Sequence, residues 1–265
     1  MLRLKFIFLL IYLYSTLGWT YNYPADHTNV YAFPATGDSV DQFVTTQKII
    51  NFLNQTYKAQ IQSEYDINFG WHFEWDKNYL AAGSNIYNGE GYIMLWGGFV
   101  RAPGASPSLI ALTLCHEIGH FLGGSPKQHF NGDVQEHWSS SEGQADWFAA
   151  KECLPLVYHE LKNLFTAGDP SSYQATKLCQ KTINPDQCKW ILSTGQEFLD
   201  FSFYYFSDSK SQKTSLLNTA PEKPEQTLIN TYPSDQCRLD TYKAGGLCAS
   251  QAAEKCQRPA CWFVP

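Results

Sequence analysis

The sequence has few basic residues and, beyond residue 20, no apolar stretch long enough to span a bilayer. It contains 19 Lys and Arg against 25 Asp and Glu, which gives a formal net charge of −6 at pH 7. A mildly acidic chain without a basic stripe is not typical of proteins that bind nucleic acids. We therefore expect neither a nucleic-acid partner nor a membrane span in the mature chain.

No C-x-x-C pair occurs among the eight cysteines, so their spacing does not indicate a cysteine-ligated metal site. An even number of cysteines instead favours disulfides, which persist in oxidising compartments. We expect Cys153 to pair with Cys179 or Cys188, and the four cysteines of the last 30 residues to pair among themselves. Cys115 is also expected to have a partner, because the count is even.

Residues 1–20 have the pattern of a secretory signal peptide. Arg3 and Lys5 form a basic start, residues 6–17 form an apolar run too short to span a bilayer comfortably, and small residues follow. An uncleaved N-terminal anchor is the alternative interpretation. Cleavage would remove two basic and no acidic residues, so the net charge of the mature chain becomes 17 − 25 = −8. The pattern predicts a secreted or periplasmic protein.

The stretch 106–124 predicts one helix with clear ends. Ser106 is a favourable N-cap, and Pro107 suits the first helical position because its fixed φ is already helical. The Gly123-Gly124 pair suits the left-handed conformation that commonly ends a helix.

This helix contains the motif H-E-x-x-H, in which His116 and His120 are four residues apart. That spacing places both imidazoles on one face, one turn apart, where two neutral nitrogens can reach one Zn²⁺. Glu117 can reach a zinc-activated water without being a ligand itself. The motif predicts one zinc ion per chain, with Glu117 as the general base. The alternative is a buried helix whose histidines only satisfy local hydrogen bonds.

A hydrolytic zinc site needs a third protein ligand and one open position. The metzincin pattern would place a third His at position 126, where this chain has Pro126, which cannot bind. His129 or His137 in the following loop could bind instead. The favoured candidate is Glu142, because Asp146 lies one turn later and can accept the spare N–H of a zinc-bound His.

Other regions also have periodic patterns. Apolar residues recur at helical spacing from residue 38 or 39 to about residue 63. Ile67–Trp75 alternates apolar and polar residues, which is typical of a half-buried strand. Asn85–Tyr87 and Gly91–Trp96 flank a turn at residues 88–90 and predict a hairpin.

The second half of the chain is predicted to be largely helical. Ser139 and Glu142 form an S-x-x-E capping box, which predicts a helix start near Ser139 that Pro155 later perturbs. Residues 156–206 continue in helical patterns, and residues 207–231 are rich in Ser, Thr, Lys and Pro, which favours a flexible connection.

At these motifs the chain resembles the gluzincin peptidases of the HtpX/BepA type, which have H-E-x-x-H followed by E-x-x-A-D. Glu142 to Asp146, with Ala145 between them, match the second motif. The resemblance covers roughly residues 40–150 and 230–243. It implies an α+β, zincin-like fold in which a small mixed sheet with an edge hairpin packs on the zinc-binding helix. The eight cysteines depart from this family. Four of them lie in the last 30 residues, which predicts a disulfide-stapled C-terminal segment, residues 232–265, that returns to the core formed by residues 21–206.

The resemblance also implies further site residues. The family has His-Pro followed by an Arg six residues after the His, and this chain has Tyr232-Pro233 with Arg238 at the same spacing. We expect Tyr232 to donate a hydrogen bond to the oxyanion and Arg238 to anchor it on an acidic partner. The hairpin is expected to present an edge strand for the substrate, formed by Gly91, Tyr92, Ile93, Met94 and Leu95. The alternative for Tyr232 is that Tyr-Pro simply opens a turn.

The motifs and the resemblance together predict a zinc metalloendopeptidase that acts on a peptide or protein substrate. One alternative is a secreted zinc-binding or peptide-binding protein of the same fold that has lost turnover. Another is a disulfide-stapled structural or adhesion protein in which the motif is accidental. Metal analysis separates this last class from the others, and cleavage of an unfolded protein separates the enzyme from the binding protein.

Overall fold

One helix of the described chain is buried along almost its whole length. The computed structural model describes residues 40–129, 137–165, 173–206, 213–251 and 256–265. Helix α3, Pro107–Leu122, is buried from Ser108 to Phe121, and it packs between α1, Val40–Tyr65, and the helices of the C-terminal half. Apolar residues lie on most of its surface, and a helix of this kind is stable only inside a core, which explains its burial. The predictions of both helices are confirmed.

The sheet has three strands in the order β1-β3-β2, with β1 at Asn68–Glu74, β2 at Ala82–Tyr87 and β3 at Glu90–Trp96. β2 and β3 form the predicted hairpin, and its two turn residues, Asn88 and Gly89, have φ values of 50° and 77°. Positive φ at both central positions matches the right-handed twist of a two-residue hairpin. The hairpin prediction is confirmed.

The strand order corrects the prediction that the substrate lies along Gly91, Tyr92, Ile93, Met94 and Leu95. These residues belong to β3, which pairs in parallel with β1 on one side and antiparallel with β2 on the other. Because β3 is central, its backbone N–H and C=O groups already serve the two neighbouring strands, and it cannot accept an added strand. The edge strand of the hairpin is β2, which packs beside α3.

Short helices lead into and out of α3, and longer ones build the C-terminal half. Residues predicted to be helical from 156 to 206 are helical over most of their described length. The helices in chain order are α2 at Gly97–Arg101, α4 at Glu142–Phe148, α5 at Leu154–Leu161, α6 at Tyr173–Cys179, α7 at Pro185–Phe206 and α8 at Asp235–Ala249. A π-helical turn, Ala149–Cys153, joins α4 to α5, and a 3₁₀ turn, Lys162–Leu164, follows α5.

The helix after the zinc-motif loop begins later than the capping box predicts. Ser141, not Ser139, is the N-cap residue of α4, and its side chain makes no capping hydrogen bond. The prediction of a Ser139 cap is wrong because the Ser139 hydroxyl lies 3.0 Å from Nδ1 of His120. A tertiary contact with His120 thus uses the Ser139 hydroxyl that the local sequence predicts as the helix cap.

Four disulfides join all eight cysteines. They pair Cys115 with Cys153, Cys179 with Cys188, Cys237 with Cys261, and Cys248 with Cys256. The partner for Cys115 and the pairing within the tail are confirmed, whereas the expected pairing of Cys153 is wrong. The π-helical turn packs against α3, so Cys153 meets Cys115 there, while the two cysteines at the α6–α7 turn pair locally.

α8 returns to the core, where it packs against α4, the π-helical turn and α7. The segment before it is attached to this helix, since the Ser215 N–H donates to Gln236 Oε1 over 3.0 Å and the Ala220 N–H donates to Asp240 Oδ2 over 2.7 Å. The described part of that segment, 213–231, contains no helix or strand.

The described chain therefore has a mixed α+β fold with one small sheet and four disulfides. The disulfides indicate an extracellular or otherwise oxidising compartment. No helix within the described ranges is long and apolar enough to cross a membrane. The predicted signal peptide, residues 1–20, lies outside the described residues.

Candidate metal centre

α3 presents two histidines to one point inside the core. Ser106 caps the helix by accepting a hydrogen bond from the Leu109 N–H over 3.1 Å, and the regular helix that follows sets His116 and His120 one turn apart. Their Nε2 atoms are 3.2 Å apart, and both residues are buried. Two lone-pair donors at this separation can share one cation.

Glu142, the first residue of α4, adds a carboxylate to the pair. Its Oε2 lies 3.2 Å from Nε2 of His116, and its Oε1 lies 3.7 Å from Nε2 of His120. In a tetrahedral zinc site with bonds of about 2.0–2.1 Å, ligand atoms are separated by roughly 3.3–3.4 Å. The buried group of His116, His120 and Glu142 therefore has the separations that a metal ion requires, and it can hold one.

Gly119 allows α4 to approach α3 closely enough to form this group. A Cβ atom at Gly119 would lie 2.7 Å from the backbone oxygen of Ala145 and 2.8 Å from its Cα. Both are backbone atoms that cannot move aside without shifting α4. The small residue between the two histidines is thus what lets Glu142 reach them.

The histidines and carboxylates of the metal group shift one another's pKa values. Burial alone would lower the pKa of His116, but Asp146 and Glu142 outweigh burial and raise this pKa to about 10. Burial would raise the pKa of Glu142, but His120 and His116 outweigh it and lower this pKa below its ordinary value. In the absence of metal, a proton on His116 therefore balances the carboxylates, and a metal ion has to displace it.

Asp146 orients His116 from behind. Its Oδ1 accepts a hydrogen bond from Nδ1 of His116 over 2.7 Å, so Nε2 faces Glu142 and His120 and is the atom that can bind a metal once its proton is displaced. Arg238 donates to the same carboxylate from α8, and this ion pair outweighs burial and holds the pKa of Asp146 far below its usual range. The hydroxyl of Tyr242 also donates to Oδ1. The structure thus places Arg238 on an acidic residue, and that residue is Asp146.

His120 is oriented by the backbone. Its Nδ1 lies 2.9 Å from the carbonyl oxygen of Ser140 and 3.0 Å from the hydroxyl of Ser139. Since a carbonyl oxygen only accepts, Nδ1 carries the proton and Nε2 keeps its lone pair for a cation.

The sequence alone did not single out Ser139, Ser140 or Tyr242 for the site. Only Tyr242 had a detectable signal, its i, i+4 spacing from Arg238.

Glu117 follows His116 on α3 and has no protein partner within the described chain. It is buried beside His116, with 7% of its surface exposed, and it makes no hydrogen bond or ion pair with another described residue. It does not belong to the three-residue metal group. Its oxygens are not among the fully buried atoms that lack a partner, so the carboxylate keeps contact with solvent next to the metal group.

The remaining predicted residues lie farther out. Tyr232 is half exposed, and the guanidinium of Arg238 lies 5.5 Å from the centre of its ring. His129 and His137 are not in the metal group. The backbone N–H of His129 donates to Asn230, and Nδ1 of His137 accepts from the backbone N–H of Ser139.

No protein-family model, curated protein or solved structure matches this chain.

Proposed function

We propose that this protein is a zinc-dependent endopeptidase of zincin-like fold, exported through the signal peptide at residues 1–20. One observation carries the proposal. Ligand atoms of the buried residues His116, His120 and Glu142 converge next to Glu117, whose carboxylate has no partner among the described residues and keeps contact with solvent.

The donor set favours zinc over Mg²⁺ and Ca²⁺. Two imidazole nitrogens and one carboxylate are the ligands of many hydrolytic zinc sites, whereas Mg²⁺ and Ca²⁺ prefer sites made wholly of oxygen. Three protein ligands leave one tetrahedral position for water or substrate. When bound, zinc supplies a Lewis acid that polarises a carbonyl group and lowers the pKa of water.

The residues around the metal would then have separate roles in the reaction. Glu117 takes a proton from the attacking water and passes it to the leaving amine, as a general base and then a general acid. Asp146 and the Ser140 carbonyl keep His116 and His120 in the tautomer that binds metal. Tyr232 would donate to the oxyanion that develops on the substrate.

The substrate would add to the outer edge of β2, Ala82–Tyr87. Within the described chain no strand pairs with that edge, and the strand packs beside α3, which carries the histidines. An extended peptide can extend a sheet by pairing its backbone with an unpaired edge.

Cleavage of casein by the purified protein tests the proposal. We expect fragments from the wild-type protein, no fragments after treatment with a chelator, and recovery of activity on adding zinc. The Glu117→Gln variant should retain its metal but lose activity by several orders of magnitude. Glu225→Gln, which removes an exposed carboxylate elsewhere, is the matched control and should cleave at the wild-type rate.

The outcome separates the candidate functions. Zinc binding without cleavage of any unfolded protein would support the metal-binding or peptide-binding alternative. A protein that takes up no zinc and cleaves nothing would leave only a structural or adhesion role.

A further inference from the structure

Trp262 lies directly against the residue that follows the metal ligand Glu142. Its side chain is completely buried, and a Cβ atom at Gly143 would lie 2.4, 2.7 and 2.8 Å from the Cδ2, Cε3 and Cε2 atoms of its indole. Native Cβ atoms do not approach other atoms so closely, so only glycine lets the ring pack here. Gly143 is the second residue of α4, and the indole therefore contacts the helix backbone one residue from the ligand.

The first turn of α4 depends on contacts of this kind. Ser141, its N-cap residue, makes no side-chain capping hydrogen bond, and glycine gives position 143 more backbone freedom than any other residue would. Glu142 lies between these two residues, so the position of its carboxylate depends on how firmly the turn is held. On one side, the backbone N–H of Ser141 donates to the carbonyl of Pro126 over 2.9 Å. Beside Gly143, Trp262 provides the contact.

Trp262 is itself held by several contacts. The disulfide Cys237–Cys261 attaches the preceding residue to the first turn of α8. The carbonyl oxygen of Trp262 accepts a hydrogen bond from the Leu228 N–H over 2.9 Å. Its ring belongs to a small cluster of buried residues that includes Trp147, one turn after Gly143. The indole is therefore a fixed surface against which the start of α4 packs.

We propose that Trp262 is a positioning residue of the metal centre. By filling the space beside Gly143, it fixes the first turn of α4 and keeps the Glu142 carboxylate where it can share one ion with His116 and His120. The competing explanation is that Trp262 only fills the small core. Core packing changes the free energy of unfolding, whereas positioning also changes the zinc affinity of the folded chain.

The proposal rests on the metal group of the proposed function but not on peptidase activity, because its readout is the binding of zinc. A wild-type protein that takes up no zinc would refute the metal centre and this proposal with it. A wild-type protein that binds zinc, together with variants that bind it equally well, would refute only the role of Trp262.

The zinc affinity of Gly143→Ala, measured by competition with a chromophoric chelator, tests the proposal. The added methyl group would displace the start of α4, since the buried indole cannot move aside, and zinc binding should weaken by about 10–100-fold. Gly98→Ala is the matched control. Gly98 is also the second residue of a short helix, α2, and a Cβ there would lie 2.2 Å from the carbonyl oxygen of Asn78. It should lower the free energy of unfolding but bind zinc as the wild type does.

Trp262→Leu is the second, independent variant. It removes the contact and leaves Gly143 free to move, so zinc should bind about tenfold more weakly. The double variant Gly143→Ala/Trp262→Leu has room for the added methyl group and should bind zinc about tenfold more tightly than Gly143→Ala. Urea unfolding of each metal-free variant verifies that it is folded and measures its stability separately. If Gly143→Ala does not fold, the affinity of Trp262→Leu decides the question.

Wild-type zinc affinity in both single variants, with a reduced free energy of unfolding, would show that Trp262 only fills the core and would overturn the proposal. A double variant that binds zinc no more tightly than Gly143→Ala would also overturn it, and so would an equal loss of affinity in Gly98→Ala.

Discussion

The guanidinium of Arg238 lies against both carboxylate oxygens of Asp146, with Nε 2.8 Å from Oδ2 and Nη2 2.9 Å from Oδ1. The two residues are 92 positions apart in sequence. Asp146 in turn accepts from His116, so the C-terminal helix is connected to the metal group through one buried carboxylate. Each of these contacts can be tested separately.

Removal of Asp146 should weaken metal binding without removing a ligand. We expect Asp146→Ala to lower the affinity for zinc by about 10–100-fold, because His116 loses the partner that fixes its tautomer and tilt. Competition with a chromophoric chelator measures this affinity. Asp240→Ala, which also removes a buried carboxylate of the α8 region but touches no ligand, should bind zinc as the wild type does. Equal affinities in the two variants would contradict the role of Asp146.

Removal of Glu142 should abolish stable metal binding. Elemental analysis should give about one zinc per wild-type chain and almost none in Glu142→Ala, because two histidines alone do not complete a hydrolytic site. Glu152→Ala, an exposed carboxylate beyond α4, is the control. Full zinc occupancy in Glu142→Ala would show that the third ligand is another residue.

The buried ion pair predicts a pH dependence of stability in the metal-free protein. The pKa of Asp146 is lower in the folded than in the unfolded chain, so its contribution is fully present above about pH 4 and is lost as the pH falls toward the folded pKa. In a chelator, Asp146→Asn should be less stable than wild type by about 3–5 kcal/mol at pH 7, since Arg238 stays buried without its partner. Urea unfolding should show this difference shrinking below pH 4. A difference that stays constant down to pH 2 would be inconsistent with the shift.

Tyr232 should affect turnover and not metal binding. Loss of an oxyanion donor typically costs about 2.7–4 kcal/mol, so we expect Tyr232→Phe to lower kcat by about 10²–10³-fold while zinc content and unfolding temperature stay at the wild-type values. Tyr204→Phe, another exposed tyrosine, serves as the control. Cleavage by Tyr232→Phe at the wild-type rate would make Tyr232 a turn residue, and the donor would then be sought at His129 or His137.

The disulfides should stabilise the chain according to the loops that they close. Cys115–Cys153 closes 38 residues and Cys179–Cys188 closes 9. The loop-entropy estimate gives about 3.9 kcal/mol for the first and about 2.6 kcal/mol for the second. Paired Cys→Ala variants, compared by urea unfolding, should show the larger loss for the Cys115–Cys153 pair. Peptide mapping without reductant should recover the four pairs, and mostly free thiols would contradict them.

The parts of the fold that sequence predicted depend on contacts between residues close in the chain. Ser106 caps α3 through an atom three residues away, and Asn88-Gly89 closes the hairpin because both residues tolerate positive φ. The two histidines share one helix face because they are four residues apart, which is about one helical turn. These features follow from backbone geometry over a few residues, which sequence patterns record directly.

Sequence alone determined the buried helix, its two histidines and the glutamate between them, because helical spacing places those residues without help from the rest of the chain. Only the tertiary structure decided that β3 is central, that Ser139 serves His120 instead of a helix end, and that Cys153 meets Cys115. It also brought Arg238 and Tyr242 onto Asp146. Such pairings join residues far apart in sequence, and packing of whole helices and strands selects them, so no local pattern encodes the partner.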